Sequence, residues 1–362
     1  MKRSISAVML FVAAALGAAP LREAYAPYFK VGVALGVKDL AKEEVREIAA
    51  REFSSATAEN CMKAAELQPK EGVFRWKRAD EFVDFCERAK MKTIGHCLVW
   101  HSQPAEWMFT GPDGKPSSRE LLVERMRAHI FAVVGRYRGR VKGWDVVNEA
   151  FDSKGEMSKT KWFRQIGPDY IELAFRFAHE ADPEAELYYN DFGMDGAKKR
   201  EAVCAMIRDL KRKGVRIDGI GMQTHVNLKY PDLREYEKSL AAFAAEGVKV
   251  MVTEMDVSVL PAAWNVTAEI STRYDYDEKY NPYKAGLPAE VADRLAKRYA
   301  DFFALFLRHA KDVDRVTIWG LHDGMSWLND FPVKGRTDYP LLYDRELKPK
   351  ACRAAIEKLI SK

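Results

Sequence analysis

Two glutamates stand at the ends of apolar segments that have the length of buried strands. Glu149 closes the segment WDVVNE, and Glu254 lies in VMVTEMD. Hydrolysis of a glycosidic bond needs two carboxyl groups that flank it, one protonated to assist the departing oxygen and one ionised to attack the sugar or activate water. If folding brings these two side chains face to face, they have the residue types for that chemistry.

The neighbours of the two glutamates suit this interpretation. Asn148 immediately precedes Glu149, and its amide could bind a sugar hydroxyl beside the acid. Asp256 lies two residues beyond Glu254 and therefore on the same strand face. It could hold His225, from the preceding predicted strand, against Glu254 and so keep that carboxylate ionised and oriented.

The glutamates belong to a chain in which short apolar segments alternate with amphipathic helical ones. The strand predictions are 29–35, a segment ending at Asn60, 92–100, 141–149, 185–191, 217–225, 248–256 and 316–320. The helix predictions are 43–53, 79–89, 118–137, 169–180, 197–213, 233–245, 288–309 and 350–360. Eight strand–helix repeats without a linker rich in Pro, Gly or Ser predict an α/β fold, a single (β/α)8 TIM barrel over residues 21–362.

Polar residues follow nearly every predicted strand, where the side chains of a parallel barrel face its mouth. They are Glu59, Asn60, His96, His101, Asn148, Glu149, Asn190, Asp191, Gln223, His225, Glu254, Asp256, Trp319, His322 and Asp323. Glu149 and Glu254 fall on the fourth and seventh strands, which would face each other across the mouth. The concentration of polarity at one rim favours a site over a purely structural role.

One long segment after the seventh strand, about 260–287, has no helical or strand period. It carries Trp264, Tyr274, Tyr276, Tyr280 and Tyr283. Connections of this length are usually functional or disordered. The aromatic residues favour a lid or a wall for the substrate.

Six segments together resemble glycoside hydrolase family 10, the retaining endo-β-1,4-xylanases (EC 3.2.1.8), over about residues 21–358. They are 57–63 (TAENCMK), 95–103 (GHCLVWHSQ), 144–149 (WDVVNE), 217–225 (IDGIGMQTH), 253–256 (TEMD) and 319–327 (WGLHDGMSW). The resemblance implies that Glu149 is the acid/base and Glu254 the nucleophile, with His225, Asp256 and Asn148 in support. It implies substrate contacts at Glu59, Asn60, Lys63, His96, Trp100, Gln103, Gln223, Trp319 and Trp327. It also implies xylan or xylo-oligosaccharides as substrate, with no cofactor and no metal.

Composition and the N-terminus limit the other partners. The net charge is +5 and the basic residues are scattered, so nucleic acid is not expected. Five cysteines without a C-x-x-C pair predict neither a disulfide framework nor a zinc site. Lys2 and Arg3, an apolar run and small residues predict a signal peptide over about 1–20, and hence an exported protein, periplasmic or extracellular, without stable membrane association. A monomer is expected.

Three rivals stay open on the sequence. A cellulase or mixed-linkage glucanase would keep the fold and change the sugar. A metal-dependent barrel hydrolase could use His96, His101, His225 and His322, although no H-x-H closes the first strand and no spacing matches a zinc motif. A sugar-binding protein without catalysis would not need Glu149 and Glu254.

Overall fold

The computed structural model describes residues 19–261 and 273–361. The strands are β1 (Lys30–Leu35), β2 (Ser55–Ala58), β3 (Lys92–Val99), β4 (Val141–Asn148), β5 (Glu186–Asp191), β6 (Gly219–Met222), β7 (His225–Asn227), β8 (Lys249–Ser258) and β9 (Val313–Ile318). Nearly all of the predicted signal peptide, residues 1–18, lies outside the described residues, as does Trp264 of the predicted lid or wall.

All neighbouring strands pair in parallel, and the sheet closes on itself. β1 pairs with both β2 and β9, and β6 pairs directly with β8. The closed ring therefore runs through β1 to β6, β8 and β9, while the three-residue β7 lies outside the ring and pairs with β8. This is the predicted eight-stranded TIM barrel.

Helices follow the strands and cover the outside of the barrel. The longer ones are α3 (Glu43–Glu52), α5 (Lys77–Arg88), α6 (Arg119–Arg136), α8 (Tyr170–Ala181), α9 (Ala197–Arg212), α10 (Leu233–Ala245), α11 (Ala289–Arg308) and α12 (Ala351–Glu357). Four short ones are α1 (Leu21–Ala24), α2 (Val37–Leu40), α4 (Ala64–Leu67) and α7 (Lys161–Gln165). Their apolar stripes pack on the strands in one continuous core. None of the helices in the described part of the chain combines the length and apolar character that crossing a bilayer requires.

The inside of the barrel has a second, smaller core. Ile94, Tyr188 and Met251 are fully buried and form a cluster separate from the one beneath the helices. Arg315, in register with Met251, is equally buried and lies 5.6 Å from the centroid of the Tyr188 ring. This filled interior supports the strand ends above it, where the polar residues lie.

The sixth predicted strand, 217–225, differs from the structure because it is interrupted. Hydrogen bonding of β6 ends at Met222 and resumes at His225 as β7. Thr224 between them has φ of +67°, a left-handed conformation that a continuous strand does not contain. The interruption separates the directions in which Gln223 and His225 project.

The long segment after β8 is fixed to the loop after β9 where it is described. The amide of Tyr274 donates to the carbonyl of Pro332, at 3.0 Å. Asn281 Oδ1 accepts from the amide of Thr337 at 2.9 Å, and Tyr339 donates to the carbonyl of Tyr283 at 3.0 Å. Residues 273–287 are therefore an ordered part of the rim.

A buried ion pair joins α3 and α12, helices that follow the first and the last strand of the barrel. Arg353 on α12 donates to Glu52 at the end of α3, at 2.9 Å, and both side chains are buried. The same carboxylate accepts from the amide of Leu21 at 3.3 Å, which fixes α1 as well.

We expect Glu52→Ala to lower the free energy of unfolding by about 3 kcal/mol, because it leaves a buried guanidinium without its main partner. Arg78→Ala is the control, since its pair with Glu66 is exposed and is worth about 0–1 kcal/mol. Urea unfolding measures both changes. Equal losses in the two variants would contradict the structural role of the pair.

Candidate active site

A cavity of about 450 Å³ opens at the C-terminal end of the barrel strands. Its lining comprises Glu59, Asn60, Lys63, His96, Trp100, Gln103, Asn148, Glu149, Gln223, His225, Glu254, Arg273, Trp319, Trp327, Asp330 and Phe331. The structure therefore brings together every residue that the family resemblance implied for the site except Asp256, which lies behind His225.

Glu254 accepts hydrogen bonds on both carboxylate oxygens. Asn190 Nδ2 donates to Oε1 at 2.6 Å, and His225 Nε2 lies 3.1 Å from Oε2. Burial raises the pKa of Glu254, but the His225 hydrogen bond and the nearby imidazole charges outweigh it, so the net pKa is lowered. Glu254 is therefore an ionised carboxylate in the cavity.

His225 carries the positive charge that this arrangement requires. Burial lowers the pKa of His225, but the charge of Asp256 and the hydrogen bonds to Asp256 and Glu254 raise it to about 10. Asp256 Oδ2 lies 2.9 Å from His225 Nδ1 and also accepts from Trp327 Nε1 at 2.8 Å. The imidazolium is thus held between two carboxylates in a fixed orientation.

Glu149 has a different environment. Trp100 Nε1 donates to one carboxyl oxygen at 2.7 Å, and Gln223 Nε2 donates to the other at 2.8 Å. Burial raises the pKa of Glu149; the charge of His101 and the hydrogen bonds from Gln223 and Trp100 lower it, the charge of Asp191 raises it, and the net pKa is raised. A carboxyl group with a raised pKa facing an ionised one is the arrangement that acid catalysis beside a nucleophile requires.

Amide side chains connect the two glutamates. Asn190 Nδ2, which donates to Glu254, also donates to Asn148 Oδ1 at 2.9 Å. Gln223 Nε2, which donates to Glu149, lies 3.4 Å from the same Asn148 oxygen. The two carboxyl groups are therefore held on one network of hydrogen bonds.

The other end of the cavity is basic and aromatic. Lys63 Nζ donates to Asn60 at 2.9 Å and to Gln103 at 3.0 Å, and it lies 4.9 Å from the centroid of the Trp100 ring. His96 Nδ1 lies 2.9 Å from Asp145, so Nε2 is the ring nitrogen free to meet a ligand. Burial raises the pKa of Glu59 at the same end.

Two tryptophans border the cavity from the end of β9. The Trp319 ring lies edge-on to His96, with centroids 5.4 Å apart, and Trp327 stacks on Phe331 at 4.8 Å. Flat apolar surface beside carboxylates, amides and a lysine suits a sugar, whose ring has apolar faces and a polar edge.

Sequence reasoning missed three residues that line the cavity, Arg273, Asp330 and Phe331, and the contact that a fourth residue, Asn190, makes with Glu254. Asn190 was noted at a strand end, but its position as a donor to Glu254 depends on the register of β5 with β4 and β6. Arg273, Asp330 and Phe331 come from the two rim loops, and no periodic pattern marks them. His101 and His322 of the metal rival do not line the cavity. Within residues 19–261 and 273–361 no group of three His, Cys, Asp or Glu side chains could hold a metal ion.

Barrel and site together define a hydrolase class in which two unlike carboxyl groups act across a sugar-sized cavity. The model of glycosyl hydrolase family 10 matches residues 20–359, and the chain belongs to that family.

Known relatives agree over nearly the whole chain. Endo-1,4-beta-xylanase A of Xylanibacter ruminicola is 46% identical over 94% of this chain and 93% of that protein. A solved GH10 endoxylanase retrieved from a sugarcane soil metagenome is 44% identical, covers 94% of this chain and 99% of its own, and has a TM-score of 0.91. A mutant of TsXylA, an intracellular xylanase from Thermoanaerobacterium saccharolyticum, was solved with xylotriose; it is 34% identical, with 93% and 98% coverage and a TM-score of 0.81.

We expect His225 to remain protonated to about pH 10 and to titrate at lower pH in Asp256→Asn, because the larger of the two raising charges is gone while burial and the charge of Glu254 remain. Nitrogen-15 NMR of the histidine side chains measures this. His129, whose pKa burial lowers to about 4, should stay neutral in the same spectra and serves as the internal control. A neutral His225 at pH 8 in the unaltered protein would contradict the assignment.

Proposed function

We propose that this member of family 10 is an exported endo-1,4-β-xylanase that hydrolyses internal bonds of xylan with retention of configuration. The observation that carries the proposal is the unlike environment of the two carboxyl groups in one cavity. Glu254 is hydrogen-bonded to the His225 imidazolium and its pKa is lowered, whereas Glu149 accepts from Trp100 and Gln223 and its pKa is raised. The xylanase activity named for the relatives supports the choice of substrate.

In the first step a carboxylate oxygen of Glu254 attacks the anomeric carbon. The bond from that carbon to the leaving oxygen breaks, and the proton of Glu149 passes to the leaving oxygen. A covalent glycosyl-enzyme remains, and His225 and Asn190 lie where they orient the attacking carboxylate.

In the second step water attacks the anomeric carbon from the side that the leaving group vacated. Glu149, now ionised, takes the proton of the water, and the bond to Glu254 breaks. Two displacements regenerate the β configuration, and both glutamates return to their starting protonation states.

Sugar binding falls to the rest of the cavity. Glu59, Asn60, Lys63, His96 and Gln103 offer donors and acceptors for hydroxyl groups at one end. Asn148 lies beside the acid, where an amide can bind a hydroxyl of the sugar that reacts. Trp100, Trp319 and Trp327 supply apolar surface around the rings.

We expect Glu254→Ala to abolish turnover of every substrate, because no other group can form the covalent intermediate. Glu149→Ala should lower kcat/KM on xylan by about 10²–10⁴-fold, the usual contribution of general acid catalysis. It should spare kcat/KM for a dinitrophenyl xylobioside, whose leaving group needs no proton. Glu106→Ala is the control, an exposed glutamate paired with Lys161. Equal losses on both substrates would exclude Glu149 as the acid.

The linkage and stereochemistry are tested on the unaltered protein. We expect xylan to yield oligosaccharides with a fast fall in viscosity, and proton NMR to show the β-anomer first. Soluble cellulose is the comparison, since glucose carries a hydroxymethyl group that xylose lacks. Faster cleavage of cellulose, or the α-anomer first, would overturn the proposal.

Export is supported only by the basic residues and apolar run at the N-terminus. We expect expression of the full chain in a bacterium to give a periplasmic or extracellular product whose N-terminus lies near residue 20. Lys2→Glu/Arg3→Glu should reduce export, because a signal peptide begins with positive charge. A cytoplasmic product that keeps residues 1–20 would contradict export.

A further inference from the structure

A buried ion pair behind the acid/base takes no part in the mechanism above. Lys199 on α9 and Asp191 at the end of β5 are 1% and 0% exposed. Lys199 Nζ lies 2.8 Å from Asp191 Oδ1 and donates to the carbonyl of Phe192 at 2.9 Å. Burying two charges costs free energy and needs compensating hydrogen bonds, so this pair differs from an ordinary surface ion pair.

The pair is connected to the backbone at Glu149 through one tyrosine. The hydroxyl of Tyr189 donates to Asp191 Oδ2 at 2.5 Å. The same hydroxyl accepts from the amide of Ala150 at 3.0 Å, and Ala150 is the residue after Glu149. A continuous chain of contacts thus runs from Lys199 through Asp191 and Tyr189 to the peptide group that follows Glu149.

That peptide group lies where the backbone is strained. Glu149 has φ of +58°, which costs a non-glycine residue about 1–3 kcal/mol unless its surroundings hold it. The amide of Glu149 donates to the carbonyl of Asn190 at 2.9 Å. The amide of Ala150 donates to Tyr189, so both sides of the strained residue are fixed to β5.

We propose that Tyr189, Asp191 and Lys199 are positioning residues that hold the left-handed turn at Glu149 and thereby aim its carboxyl group at the leaving oxygen. The assignment rests on the proposed function of Glu149. None of the three lines the catalytic cavity, so they act through the backbone of Glu149 and through the buried charge of Asp191.

Several charged and polar groups face Glu149. Burial is the largest cause at Glu149 and raises its pKa, and the charge of Asp191 also raises it. The charge of His101 and the hydrogen bonds from Gln223 and Trp100 lower it. The ionised Glu254 and His225 lie across the cavity and oppose each other in sign. Removing the charge of Asp191 should therefore lower the pKa of Glu149.

Tyr189→Phe tests the positioning, because it removes the hydroxyl and keeps the buried ring. We expect kcat/KM on xylan to fall about tenfold or more, as part of the 10²–10⁴-fold contribution of acid catalysis is lost. The burst of dinitrophenol counts the active sites. Normalised to that count, kcat/KM for dinitrophenyl xylobioside should change less than about twofold. Azide, a nucleophile that needs no base, should accelerate the second step in this variant.

Asp191→Asn/Lys199→Met tests the charge without leaving either partner buried and unpaired. We expect the alkaline limb of the kcat/KM profile to move to lower pH, since the charge of Asp191 raises the pKa of Glu149 whereas Lys199, of opposite sign, is not among the main causes of that shift. Lys297→Met/Asp301→Asn is the matched control, an exposed pair on α11 whose removal should leave the profile unchanged.

The outcomes separate this proposal from the proposed function. If Tyr189→Phe lowers both substrates equally and the double variant keeps its alkaline limb, the three residues are structural only and the proposal is overturned, while retaining hydrolysis by the unaltered protein stands. If the unaltered protein does not cleave xylan with retention, the proposed function itself fails. A selective loss on xylan together with a shifted limb supports the positioning role.

Discussion

The site depends on one charged hydrogen bond, between His225 and Glu254. A carboxylate buried without a cation would take up a proton and lose its use as a nucleophile. Asp256 keeps the imidazole charged, and Trp327 satisfies the remaining lone pair of the same Asp256 oxygen. At Glu149, burial and the charge of Asp191 outweigh the opposing charge of His101 and the hydrogen bonds from Gln223 and Trp100, so the net pKa is raised. The two environments therefore shift the pKa values of two chemically identical side chains in opposite directions.

The interruption of the sixth predicted strand produces this difference between the surroundings of Glu149 and Glu254. Residues two apart on a continuous strand share a face, so Gln223 and His225 would both approach one carboxyl group. The left-handed turn at Thr224 separates them, and Gln223 reaches Glu149 while His225 pairs in register with Asp256 and reaches Glu254. A neutral amide and a charged imidazole from one short segment are thus distributed between the two carboxyl groups.

The barrel and most of the site could be predicted because both follow from local patterns in the sequence. Strand and helix periods repeat eight times, and strand ends in a parallel barrel share one rim. The break at Thr224 could not be predicted, since a β-branched residue is typical of a continuous strand and not of a left-handed turn. Asn190 was visible at its strand end, but its bond to Glu254 depends on register across three strands. Arg273, Asp330 and Phe331 come from rim loops, whose course depends on contacts between distant segments.

Backbone strain is concentrated where the chemistry is. Of the five non-glycine residues with positive φ among those described, Gln103 and Glu149 line the cavity and Thr224 lies between two residues that do. Each departs from strand geometry where a strand of the barrel, or the segment just after it, must turn a side chain into the mouth. Such conformations persist only when the surroundings hold them. Here the filled barrel interior and the hydrogen bonds to the neighbouring strands β5 and β8 supply that support. The packed interior of the barrel therefore allows unfavourable backbone conformations at its C-terminal rim.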